Sequence, residues 1–184
     1  GRRCQRWHGR RDCCQGEKSV LARGVDRVVT LGDDETSEWS SVQVASALAA
    51  LAQRIEGVEL VVAGDASVDE GAQLMSALVG ARLGWPTFLE VTHVEPCDAG
   101  WQITQNHDGG SRVIRTDGAA VVAVTPDATT PRAPGMKDIL KAAKKPMEDV
   151  ECSELDISRA TVHVVSRGPA PVRGRKHRVF TGDD

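Results

Sequence analysis

Two uninterrupted apolar runs, Leu60–Ala63 and Ala119–Val124, constrain the fold of this chain more than any other feature. Four to six apolar residues without polar alternation mark a strand buried on both faces, as in a parallel sheet covered by helices. Helical periodicity fills the space around these runs. Val44, Leu48, Leu51 and Ile55 recur at spacings of three and four, which predicts a helix over residues 36–54, capped by Thr36 or Ser37 and ended by Gly57. After a loop over 64–71, Leu74, Leu78 and Ala81 predict a second helix reaching about Leu83, stopped by Gly84 before Trp85 and Pro86. Residues 25–31 and 87–94 read as further strands, and 101–105 with 112–115 as a hairpin about Asp108, Gly109 and Gly110. A short helix over 136–143 must break at Pro146, and a weak strand is expected over 161–165. Strand–helix–strand–helix–strand order predicts an α/β fold with a mostly parallel sheet. With only 3% aromatic residues and no tyrosine, alanine and valine must fill most of its core.

The ends differ from the body. Residues 1–18 show neither helical nor strand period and do not begin with Met, so they read as an unassigned tail, a fragment end or a misread frame. Residues 1–14 carry five arginines against Asp12, and residues 167–184 carry five basic side chains against Asp183 and Asp184. The whole chain is nevertheless at −3, so the body between is strongly acidic. Without a continuous basic face, no nucleic-acid partner is expected. No apolar run approaches the length of a membrane-spanning helix, so no membrane insertion is expected. Five cysteines without regular spacing, behind no apolar signal segment, point to a reduced intracellular compartment. Cys4, His8, Cys13 and Cys14 lack a paired C-x-x-C knuckle and are not read as a zinc site. Singly scattered histidines, with no nucleophile motif around them, give no catalytic centre.

One segment has the position of a ligand site. Residues 64–75 leave the end of a buried strand and open a helix, where α/β sheets bind ligands and free N–H groups face a phosphate. Gly64 and Gly71 would let a ligand approach the backbone. An ordinary strand-to-helix turn with Asp69 capping the helix reads equally from these residues.

An ordered set of motifs resembles the β subunit of electron transfer flavoprotein. It comprises Val61–Gly71 with its helix closing on Leu83, Gly84, Trp85 and Pro86, and then Ala119–Val124, Pro131 and Arg132. Ile139 through Pro146, rich in lysine, completes it, and Ser19–Arg27 resembles an earlier step of that family. The similarity runs from about Ser19 to Ile157. It implies a Rossmann-like fold of the adenine-nucleotide-hydrolase type, with helices on both faces of the sheet. The domain would span 19–150, including a recognition loop over 125–145, and 151–184 would form a C-terminal arm and flexible tail. The resemblance implies an electron carrier rather than an enzyme, paired with an α subunit that holds most of the FAD. Electrons would pass from flavin dehydrogenases, such as acyl-CoA dehydrogenases of fatty acid β-oxidation, to a membrane quinone oxidoreductase. The compartment implied is the bacterial cytoplasm or the mitochondrial matrix.

It also implies an AMP, or a second FAD, held by Gly64, Ala66, Ser67, Val68, Asp69, Gly71, Ala72 and Gln73. Pro131, Arg132, Met136, Lys141 and Lys144 would meet partners, Met136 standing where the family has an anchoring leucine. The chain departs from the family loop. It lacks a hydroxyl at Ala72 and glycines at Gln73 and Ser76, and it adds Asp65, Asp69 and Glu70, which repel an anion and imply a weakened or lost AMP site. Asn106 stands where many members carry an acidic hairpin residue. The family's first β-α-β unit should precede Ser19, and its absence implies a truncated or frame-shifted chain with an exposed strand edge. Two alternatives remain: a stand-alone nucleotide-binding sensor of the universal-stress-protein type, and a degenerate scaffold that binds no nucleotide.

Overall fold

The structure, a computed structural model, describes residues 10–31, 39–67, 71–157, 165–166 and 168–169. Helix α1 (Arg10–Ala22) leads into strand β1 (Val28–Leu31). Helix α2 (Ser41–Arg54), strand β2 (Leu60–Gly64) and helix α3 (Met75–Leu83) follow. Strands β3 (Thr87–Cys97), β4 (Gly100–His107), β5 (Gly110–Asp117) and β6 (Ala120–Val124) complete a sheet. Helix α4 (Met136–Ala142), strand β7 (Met147–Val150) and a single 3-10 turn (Cys152–Glu154) close the described body.

The strands form two sheets. The larger runs β2-β6-β3-β4-β5, and β1 pairs in parallel with β7. In the larger sheet β6 pairs in parallel with both β2 and β3, and β3-β4-β5 is an antiparallel meander, so the sheet is mixed. The α/β class stands. The expected hairpin forms, extended to 100–117, and its turn lies at Asp108 and Gly109.

The core sits around β6. Ala120, Val121, Val122 and Ala123 are all fully buried. Val121 faces the helices, packing with Ala45 of α2 and Val79 of α3. Val122 faces the other way, against Val91, Ile103, Phe88 and Trp101. Where helices on both faces are expected, the apolar residues packed on this second face are, among the described residues, strand residues. β3 carries irregular register between Phe88 and Val91 and again before His93, and such bulges bend a strand. The meander therefore curls over, and Trp101 Nε1 donates across the sheet to the Glu59 carbonyl oxygen at 3.1 Å.

Several sequence expectations change. Residues 10–18, read as tail, belong to α1, whose Leu21 and Ala22 are buried against Ala142 with Val28. Helix α2 starts at Ser41, with Ser40 as its cap: the Ser40 hydroxyl accepts from the Gln43 N–H, and Gln43 Oε1 accepts from the Ser40 N–H. Thr36 and Ser37 lie outside the described residues. The buried face of α2 is Ala45, Ser46, Ala47 and Ala49, while Leu48 of the expected stripe is 44% exposed. On α3 the buried face is Ser76, Val79 and Gly80, whereas Leu74 is exposed. Small residues win these positions because α2 and α3 pack directly on one another, and large side chains would hold them apart.

Strand β2, expected to be buried on both faces, lies at the edge of the larger sheet among the described residues, with Val62 at its centre 55% exposed. Strand β7 has no counterpart among the expected elements. It follows Pro146, whose carbonyl oxygen accepts from the Val28 N–H, so the helix-breaking proline launches the pairing with β1. Of the strand expected over 161–165, residues 161–164 lie outside the described residues, and Val165 is not in a strand.

Candidate functional site

A cleft of about 340 Å³ opens where β2 ends and α2 and α3 begin, lined by Ser41, Ala63, Gly64, Asp65, Ala66, Ser67 and residues Ala72 to Met75. Its position follows from the topology. A parallel strand delivers its chain at its C-terminal end, and the following helix starts there. β2 pairs with β6 through Gly64 opposite Val124, and the Asp65 N–H adds one more bond to the Val124 carbonyl oxygen at 3.0 Å. The chain leaves the sheet only after that bond, turns with the Gly71 N–H on the Ser67 carbonyl oxygen, and enters α3.

Helix α3 begins without a side-chain cap. Leu74 is its N-cap residue, which displaces the expected cap at Asp69. Among the described residues no side chain caps α3, and its first residue, Met75, lines the cleft beside Ser41, the first residue of α2. Neither helix has an acid in its first turn. Such termini favour acceptor groups on a ligand. The described lining holds no cation and one carboxylate, Asp65. Asp65 Oδ1 accepts from the Glu90 N–H at 3.0 Å, and Oδ2 from Gln73 Nε2 at 2.5 Å.

Five of the residues expected to hold a cofactor, Gly64, Ala66, Ser67, Ala72 and Gln73, line this one cleft. Gly71 flanks it at the turn onto Ser67. Val68 and Asp69 lie outside the described residues. Beyond those five the cleft is lined by Ser41, Ala63, Asp65, Leu74 and Met75, of which Ser41 and Ala63 lie outside the 64–75 segment that the sequence marked. The Ser-x-x-Gln spacing from Ser40 to Gln43, a capping-box signature, would have located the start of α2 and with it Ser41.

The expected partner-recognition residues stand elsewhere, on the side of the chain built by α1 and α4. None of them lines the cleft. Met136, the first residue of α4, is 74% exposed, and Ile139 and Leu140 beside it are exposed too. Pro131, Lys141 and Lys144 are also exposed. Arg132 donates to Asp138 Oδ2 at 3.0 Å, and the same oxygen accepts from the Gly135 N–H at the start of α4. The Gly135 N–H, with Arg132 second among the favourable influences, holds the Asp138 carboxyl below the usual range. Lys145 has a different role from its neighbours. Its Nζ donates to the carbonyl oxygens of Leu21, at 3.2 Å, and Val25, so it binds the end of α1.

Among the described residues, no group of three or more metal-ligating side chains comes together. No helix among them is long and apolar enough to cross a membrane. A family model for the electron transfer flavoprotein domain matches residues 11–155. The chain belongs to that family, whose members are flavin-associated electron carriers. The match begins inside α1, so the helix that the sequence reading left in a tail is part of the family's domain.

Proposed function

We propose that the chain is a β-type subunit of a heterodimeric electron transfer flavoprotein, an electron carrier whose FAD is held mainly by the α subunit. Electrons pass from flavin dehydrogenases, acyl-CoA dehydrogenases among them, to a membrane quinone oxidoreductase. The carrying observation is the family match over 11–155, within which the β-type motifs fall in order from Leu83–Pro86 to Ile139–Pro146. The exposed Met136, Ile139 and Leu140, flanked by Lys137, Lys141 and Lys144, support a docking loop that offers apolar contact within a basic frame. The body of the domain runs from α1 through β7, with residues from 151 onward as an arm. The compartment is the bacterial cytoplasm or the mitochondrial matrix.

The cleft at the end of β2 is the nucleotide site in this reading, with Gly64, Ala66, Ser67, Ala72 and Gln73 around the ligand. Its size suits a mononucleotide such as AMP. A dinucleotide such as FAD would extend well beyond it. The start of α3 and the hydroxyl of Ser41 stand at the cleft as donors for a phosphate or ribose. Asp65 favours the second reading, a scaffold that binds the α subunit and no nucleotide, because a carboxylate opposes a phosphate in the same cleft.

Thermal unfolding with AMP separates the two. A ligand at a hundred times its Kd adds about 2.7 kcal/mol, and a chain of this size gains roughly 2–4 °C per kcal/mol. A rise of roughly 5–10 °C that saturates with AMP supports the nucleotide site. No rise at millimolar AMP leaves the scaffold.

A further inference from the structure

Among the described residues, two that are not glycine adopt left-handed backbone conformations, Gln73 (φ 49°) and Glu90 (φ 52°). Such conformations are unfavourable for residues with a Cβ and persist where the surroundings hold them. The two lie on different elements, one on the rim of the cleft and one in the irregular stretch of β3. A single carboxylate binds both. Asp65 accepts the Gln73 side-chain amide on one oxygen and the Glu90 backbone N–H on the other.

Asp65 is itself fixed. It is half-buried at the end of β2, with its own N–H on the Val124 carbonyl oxygen of the central strand. The β3 irregularity is gripped from its other side as well. Gln105 of β4, 4% exposed, donates to the Leu89 carbonyl oxygen at 2.6 Å, and Arg112 Nε donates to Gln105 Oε1 at 3.1 Å. The peptide between Leu89 and Glu90 is therefore held through its carbonyl by Gln105 and through its N–H by Asp65.

We propose that Asp65 is the positioning residue of the cleft: its carboxylate fastens the rim at Gln73 to the bend of β3 at Glu90 and so sets where residues 72–75 stand. Through that rim it controls ligand affinity, a consequence that rests on the cleft being a ligand site. Asp65→Asn is close in shape, but its amide turns an NH2 group toward one of the two donors. One of the two ties is lost.

The test is hydrogen exchange of the full chain, read residue by residue for wild type, Asp65→Asn, Glu90→Gly and the double variant. Glu90→Gly keeps the backbone N–H and removes the conformational strain, since glycine adopts φ near 50° freely. The expected result is exchange faster by roughly tenfold or more at Glu90 and at Leu78, whose N–H bonds the Leu74 carbonyl oxygen, in Asp65→Asn, with β6 and the buried face of α2 unchanged. In the Glu90→Gly background, the effect of Asp65→Asn at residue 90 should shrink severalfold.

Unchanged exchange at Glu90 and Leu78 overturns the proposal. So does a uniform rise that includes β6, because that is general destabilisation, and so does an undiminished effect in the Glu90→Gly background. AMP affinity is measured alongside on the same four proteins. Loss of affinity in Asp65→Asn that Glu90→Gly partly restores supports a positioning role over direct contact with the ligand. If wild type binds no AMP, the nucleotide reading falls, and the exchange data alone decide on Asp65.

Discussion

Replacing Gly80 with alanine should push α3 away from β3. A Cβ on Gly80 would stand 1.8 Å from Thr87 Oγ1, and 3.2 Å from both Thr87 Cβ and the Trp85 carbonyl oxygen. Turning the Thr87 hydroxyl aside removes the worst contact but gives up its 3.5 Å bond to that carbonyl. The two contacts at 3.2 Å remain. The Trp85 peptide cannot retreat freely, because its N–H is bonded to the Gly80 carbonyl oxygen at 3.0 Å where α3 turns into β3. Overpacking of this kind costs roughly 1–3 kcal/mol, and alanine returns up to about 1 kcal/mol of helix propensity. The net expectation is a loss of roughly 1–2 kcal/mol, or a fall in Tm of roughly 2–8 °C for a chain of this size. Urea and thermal unfolding followed by circular dichroism measure it, and adding Thr87→Ala should recover part of the loss. A Gly80→Ala protein as stable as wild type, or more so, would refute the reasoning, since propensity would then outweigh the helix–strand contact.

Ser40→Ala removes the hydroxyl half of the box that caps α2 and should cost about 1 kcal/mol, read as a shift of the urea midpoint at constant slope; an unshifted midpoint would mean that the cap is replaced by water. Val121→Ala empties space between Ala45, Val79 and the sheet and should cost roughly 2–3 kcal/mol, with Val113→Ala on the exposed outer strand as the near-neutral comparison. Asp138 is held below the ordinary carboxylate range by the Gly135 N–H, with a smaller favourable share from Arg132. A lowered folded pKa means that its contribution is complete above the ordinary range and fades as pH falls through the lowered value. Protection of α4 amides, relative to their intrinsic exchange rate at each pH, should accordingly fall only in acid below about pH 4. A fall in protection between pH 7 and 5 would assign the effect to another group.

The apolar run 119–124 named its strand correctly because burial on both faces leaves no polar residue to confuse the period. The same logic misplaced β2. An apolar run records that a strand suits a buried place, and Val62, in the outermost of the described strands on that side, is exposed even so. Helices α2, α3 and α4 were legible in approximate place, yet the buried faces of α2 and α3 were not. Periodicity weighs leucine and valine most heavily, whereas the buried positions of these two helices include Ala45, Ala49, Ser76 and Gly80, whose smallness is the useful property. Residues 10–18 hold no aliphatic side chain and so show no apolar stripe, and the buried contacts described for α1 lie in its last turn at Leu21 and Ala22. β7 was hidden because Met147, Glu148, Asp149 and Val150 show no alternation, and its pairing with β1 joins residues far apart in sequence. At the cleft, glycines and small residues after a strand were enough to mark the loop. What no local pattern could reveal is the tie from Asp65 to Glu90, since one residue ends β2 and the other sits in β3.

The central claim is that this chain works as one half of an electron-carrying pair. It is tested most directly by co-expressing it with an electron transfer flavoprotein α subunit and recording the flavin absorbance across a size-exclusion profile. The account predicts a single yellow, equimolar species containing both chains. An α subunit that elutes yellow and alone, with this chain folded in a separate colourless peak, would contradict it.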